Sequence, residues 1–186
     1  MDFNEKGFLG TVILNFARSV DVCYVQFFEA SAKINELAQA VKFELKVHNK
    51  DGQEVLAASL FLRVLNGFQA TVILSRLGLI NDAKVVLRGA LESLFILKLL
   101  CKDEKFLAEY VGSDEVRRLK WMNVASQNKS ALFSEVRTYA TLIVRQELEE
   151  KIKIKTNDWK ELKAIDIARR AGLLEMYETD YRLLSE

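Results

Sequence analysis

The stretch VLAASLFLRVLNGFQATVILSRLGLI, residues 55–80, decides the fold. Only Arg63 and Arg76 are charged within it, and apolar side chains fall on nearly every face of the helix it would form. A helix that is hydrophobic all round is usually the central one. Ala57, Ala58, Gly67 and Ala70 are small enough to let neighbouring helices pack closely. Gly78 supplies a stop, and Asn81 is the expected N-cap of a second apolar helix from Asp82 to about Cys101. So short a connection makes the pair an antiparallel hairpin.

Outward from this hairpin the helical periodicity continues. Upstream, Leu9, Val12, Ile13, Phe16, Val20, Cys23, Tyr24 and Phe27 form one stripe, and Ile34, Leu37, Ala38, Val41 and Leu45 a second. Val41 to Val47 also alternates apolar with polar residues, as a strand does, but no partner strand is evident and helix is the expectation. His48 to Gly52 is a turn, marked by Asp51-Gly52. Downstream, a short helix from Phe106 to Val111 should break at Gly112-Ser113, with Ser113 capping the next. A helix from Leu132 to about Lys155 buries Phe133, Val136, Ala140 and Ile143. Asp158-x-x-Glu161 resembles a capping box for a short helix that Gly172 closes. Leu173, Tyr177, Tyr181 and Leu184 then share a face of a last helix. No stop signal follows Leu184, so the natural chain is expected to continue past residue 186.

Composition agrees with an all-helical reading. The 186 residues contain no proline, where average usage of about 5% would give roughly nine. Proline marks turns and edge strands, so its absence and only 8 glycines argue for helices with short connections. Half the residues are hydrophobic and the net charge is +1, which gives no electrostatic argument for nucleic acid or a membrane surface. The uncharged run between Arg63 and Arg76 is 12 residues, short of the ~20 that span a bilayer. Acidic Asp2 and Glu5 stand where a signal peptide would be basic. A cytoplasmic protein is expected, with Cys23 and Cys101 as buried structural thiols.

Most site chemistries lack their residues. The one histidine, His48, lies in a turn and cannot supply the paired Glu-x-x-His ligands of a di-metal bundle. Neither a phosphate-binding glycine loop nor a nucleophile elbow occurs. No metal or cofactor is therefore expected. Lys151, Lys153 and Lys155 follow Glu147, Glu149 and Glu150, which neutralise their field. The informative pair is Arg88 and Glu92, four apart on one helix face beside Leu91 and Phe95. Partly buried, it would fix the hairpin against a neighbour, or present a guanidinium to an anion. Removing one partner of a buried pair costs about 3–5 kcal/mol.

Val86-Leu87-Arg88-Gly89-Ala90-Leu91-Glu92 resembles the Arg-x-x-x-Glu signature of a bacterial all-helical family, domain of unknown function 5677. Trp159, Gly172-Leu173, Tyr177, Tyr181 and Leu184-Ser185 are similar to its second signature. The resemblance implies an all-α fold and no established activity. That second signature ordinarily continues past Ser185 to a histidine. With Arg182 it would look like the Arg-x-His motif of HEPN ribonucleases, whose Arg and His act on RNA across a dimer interface; no histidine follows His48 in this sequence.

The expectation is thus a single all-α domain over 1–186, a helical bundle around a central antiparallel hairpin. The expected role is self-association, as a homodimer, or ligand binding through Arg88, Glu92, Tyr177, Tyr181 and Ser185, without catalysis. Phe3, Phe8, Phe16, Tyr24, Phe27 and Phe28 crowd the N-terminal helix with more aromatic surface than one hairpin covers. The alternative is a HEPN-like RNA nuclease or defence toxin using Arg182, with RNA as partner.

Overall fold

The computed structural model describes residues 2–139, 144, 146–147, 149–150 and 161–184. Every regular element among them is helical, so the fold is all-α. The helices are α1 (Asp2–Lys6), α2 (Val12–Cys23), α3 (Val25–Glu44), α4 (Gly52–Arg76), α5 (Ile80–Lys102), α6 (Phe106–Gln127), α7 (Ser134–Tyr139), α8 (Ala164–Ala171) and α9 (Leu174–Met176). Single 3-10 turns occupy Gly7–Leu9 and Ala131–Phe133, and α9 runs into a π-helical turn, Tyr177–Tyr181. The chain divides into two compact units: Met1–Lys102 with Ala168–Glu186, and Asp103–Ile167.

The first unit is organised by the α4–α5 hairpin. Asp51 caps α4, accepting from the Gln53 and Glu54 amides at 2.9 and 3.1 Å. Gly78 closes it with φ +75°, its N–H bonded to Ser75 O and that of Leu79 to Leu74 O. The Ala83 amide already reaches Leu79 O, so α5 starts at Ile80 and Asn81 lies inside it rather than capping it. The reversal is too tight to leave Asn81 outside. A Cβ on Gly67 would lie 2.7 Å from that of Ala90, so the helices touch backbone to backbone there. At the open end the Gln53 side chain donates to Leu100 O at 2.8 Å.

The core of this unit gathers on α5, where Phe95, Leu99 and Leu100 are almost wholly buried, with Ala168 and Ala171 of α8. Helix α4 packs on α5 and on α2 and α3, as expected of the central hairpin, with Leu60 and Leu65 buried and most of its other residues half-buried. With α5 on one side and the N-terminal helices on the other, Val55, Leu62 and Ile73 are its large apolar residues left exposed. By length and composition α4 is nevertheless long and apolar enough to cross a membrane, with mean hydropathy 1.4 over its most apolar window.

In the N-terminal pair, Tyr24 (φ −123°, ψ 33°) separates α2 from α3. Arg76 Nε donates to Asp21 Oδ1 at 2.7 Å, and its Nη2 to the other carboxylate oxygen, tying α4 to α2. Gln69 donates to Asn35 at 2.7 Å and ties it to α3. Helix α3 ends at Glu44, and Leu45 turns to ψ 123°; the alternating segment is helical only in its first half. Cys23 and Cys101 are both exposed, against the expectation of buried thiols. Each falls at the end of its helix, where cover by neighbouring helices runs out.

The second unit is built on α6. This helix passes unbroken through Gly112 and Ser113, both buried, so the expected break is absent. Ser113 spends its hydroxyl on another segment, accepting the Leu162 amide at 3.0 Å instead of capping its own helix. Lys120 meets Glu161 at 2.6 Å, holding that carboxyl below its ordinary range through the hydrogen bond. Met122 packs with Leu119 and Val144. The expected long helix begins as the Ala131–Phe133 turn and α7, with Phe133 and Val136 half-buried. Its Ala140 and Ile143, the Lys151–Lys155 run, the Asp158 cap and Trp159 lie outside the described residues.

Candidate functional site

Arg88 and Glu92 stand one turn apart on α5, with Nε and Oε1 3.6 Å apart. Between them sits the hydroxyl of Tyr181, 93 residues on from Arg88. It donates to Glu92 Oε1 at 2.5 Å and accepts from Arg88 Nε at 3.1 Å. The guanidinium carbon also lies 4.9 Å from the centre of the Tyr181 ring, a cation–π contact.

What places Tyr181 there is the π-helical turn. It stacks Tyr177 on Tyr181, with ring centres 4.8 Å apart and planes 20° apart. Both rings lean on buried Phe95 of α5, at 6.3 and 6.0 Å. Gly172, at φ +76°, ends α8, and the Leu173 amide bonds back to Ala168 O at 2.8 Å. The chain thereby turns back in time for the aromatic pair to reach α5. π-turns cost hydrogen-bond quality and recur where side-chain placement matters.

The electrostatics follow from this geometry. Tyr181 is buried, and burial followed by its bond to Glu92 pushes the phenol above its ordinary value of 10.0, against the opposing pull of Arg88. Arg88 is held more firmly protonated, chiefly by its bond to the Tyr181 oxygen. The hydroxyl is engaged as donor and acceptor, and its raised pKa keeps it protonated at neutral pH. The Nη groups of Arg88 make no hydrogen bond to any described residue, and the side chain is 43% exposed. They can offer a forked pair of donors to a carboxylate or phosphate. The cluster is first a clasp between the C-terminal segment and α5, and second a presented guanidinium.

Of the residues expected at a site, the structure unites Arg88, Glu92, Tyr177 and Tyr181. Arg182 is exposed, and its side chain bonds to no described residue. Ser185 lies outside the described residues. His48 is 78% exposed, with Nδ1 2.8 Å from Glu54 Oε2. Among the described residues no three His, Cys, Asp or Glu side chains gather where they could hold a metal ion. Sequence reasoning missed Phe95 as the floor of the clasp and missed the uncovered face of α4. Val55, Ser59, Leu62, Asn66 and Ile73 recur at intervals of three, four or seven, and that signal was available in the sequence.

No curated protein and no solved structure is detectably similar to this chain. A model of a family of unknown function, DUF5677, matches residues 54–186, from the start of α4 through the tyrosine clasp. With well over half its length matched, and with Arg88, Glu92 and Tyr181 in mutual contact inside that span, the chain belongs to the DUF5677 family.

Proposed function

We propose that this chain is a helical self-association module that works as a homodimer and is not itself a catalyst. The observation that carries this reading is the line of Val55, Leu62 and Ile73 left exposed on α4. The helix is apolar enough to pass for a membrane span, yet only Leu60 and Leu65 of its 25 residues are buried. Apolar area left in water costs about 25 cal/mol per Å², and large contiguous patches mark association sites. Two-fold dimers are the commonest way to cover them. The closed bonding of Tyr181 with Arg88 and Glu92 supports an architectural rather than a reactive part for that cluster. Multi-angle light scattering at micromolar concentration tests the proposal: twice the 21.3 kDa chain mass is expected, and a monomer refutes it.

A second reading, a HEPN-like RNA nuclease, is favoured by one observation: Arg182 stands exposed immediately after the pinned Tyr181. It predicts cleavage of single-stranded RNA that is lost on Arg182→Ala. Because its histidine would lie beyond residue 186, the test uses the natural chain read through that position, and failure of that chain to cleave RNA removes the reading.

A further inference from the structure

We infer that the dimer forms through the exposed face of the α4–α5 hairpin, with α4 lying antiparallel to α4 of a second copy about a two-fold axis. This rests on the self-association reading above and assigns it a surface and a register. On α4, between the side against α5 and the side against α2 and α3, runs a stripe of Val55, Leu62, Asn66 and Ile73, all exposed. Val55 is 40%, Leu62 38% and Ile73 56% exposed. Ser59 continues the stripe, so the spacing is that of a helix–helix seam.

Ser59 aside, the intervals between those four residues are 7, 4 and 7, symmetric about position 64. A stripe with that symmetry is complementary to itself when reversed. Laid antiparallel on its copy, Val55 meets Ile73 and Leu62 meets Asn66, each twice. Self-complementarity is what a two-fold contact demands and what an unrelated partner would not require. The surface beside the stripe is shaped to receive such a helix. A groove of about 590 Å³ runs between α4 and α5, lined by Leu62, Asn66, Gly67, Val85 and Gly89 among others, with the exposed Arg63 as its one charged residue. A Cβ on Gly89 would meet nothing within 4 Å, and Val85 on the same side of α5 is 70% exposed. A Leu62 from the second copy has room to enter there.

The area is also adequate. A 25-residue helix is roughly 37 Å long and paired helices lie 8–10 Å apart, so the hairpin face is roughly 700 Å². Dimers of standard size bury about 800 Å² per partner. The polar Asn66 and Ser59 within the seam fix its register at some loss of strength.

The test uses the full chain in sedimentation-velocity titrations. Leu62→Glu and, separately, Val85→Glu should each raise the dimer Kd at least about 30-fold, the size of a hot-spot loss of about 2 kcal/mol, with an unchanged helical circular dichroism spectrum. The double variant Leu62→Glu/Asn66→Lys should restore the Kd to within about threefold of wild type. In the antiparallel register the carboxylate at position 62 faces the ammonium at position 66 of the other copy; because the two also pair four apart within one helix, an equimolar mixture of the separate Leu62→Glu and Asn66→Lys chains must form the heterodimer more tightly than either homodimer. A dimeric wild type whose dimer survives both single substitutions overturns this interface while leaving self-association standing. Weakening without rescue overturns the register. If Leu62→Glu unfolds the chain, Val85→Glu decides alone. A monomeric wild type removes both the interface and the reading it rests on, and its co-sedimentation with phosphatidylcholine vesicles would make α4 a membrane-facing helix instead.

Discussion

Replacing Tyr181 with Phe removes one oxygen and leaves the ring, its stacking on Tyr177 and its contact with Phe95 in place. The loss is two hydrogen bonds, both to charged partners, at 2.5 and 3.1 Å. Bonds to charged groups contribute about 1.5–3 kcal/mol each when their partners are desolvated. Here Arg88 and Glu92 are 43% and 44% exposed, so water re-solvates them and the ordinary range of about 0.5–1.5 kcal/mol per bond applies. The expected cost is therefore about 1–3 kcal/mol. For the same reason Glu92→Gln, which keeps an acceptor oxygen, should cost less than about 1 kcal/mol, well under the ~3–5 kcal/mol of a fully buried pair. Urea titration reads the difference as a shift in midpoint at constant slope. Amide exchange over 177–184 shows whether the C-terminal segment alone has loosened. The phenol is held neutral above its ordinary 10.0, so its contribution is fully present below pH 10 and is lost as pH rises through the raised value. The Phe variant should lack that alkaline fall. A Tyr181→Phe protein within about 0.3 kcal/mol of wild type, with exchange unchanged, would show that the clasp holds nothing.

Other expectations are as direct. Gly172→Ala forces a Cβ into φ +76° with open space around it, so the backbone term alone should cost about 1–2 kcal/mol; an unchanged midpoint would show that the turn relaxes to another conformation. The Asp21 carboxyl is held below its ordinary 3.8 by its hydrogen bond to Arg76, so its contribution is full above that value and lost as pH falls through the lower folded one. The stability gap between wild type and Asp21→Asn should accordingly narrow as pH falls below the ordinary 3.8, and a gap constant with pH would refute the pairing. Cys23 and Cys101 should both react with an aromatic disulfide reagent in the native protein, and protection of either would contradict its exposure. Ser113→Ala should speed hydrogen exchange at the Leu162 amide, which loses its acceptor.

The hairpin was legible because its signals are local: an apolar run, a glycine at the turn, and small residues where Gly67 meets Ala90. The spacing of Arg88 and Glu92 put them on one face for the same reason. That Tyr181 would join them, 93 positions away, followed from no periodicity; family resemblance alone set the two signatures side by side. Gly112-Ser113 misled because a small polar pair serves equally as a break or as a close packing point, and only the distant Leu162 amide distinguishes them. Apolar content on every face of α4 marked it as central, but hydrophobicity says how much surface seeks cover and not whether one chain can supply it.

The turn that carries the two tyrosines has one consequence for reading the family's second signature. A π-turn holds one residue more than the α-turn it replaces, so every side chain after it is rotated by about 100° from where a helical wheel would put it. The number of residues between Gly172 and Tyr181 is therefore set by reach to α5, not by helical phase. Deleting a single residue from Glu178 to Asp180 would leave a more regular helix, with the tyrosine hydroxyl facing away from both of its charged partners. In this segment a better helix would be a worse protein, and relatives should tolerate changes of residue type there far more readily than changes of length.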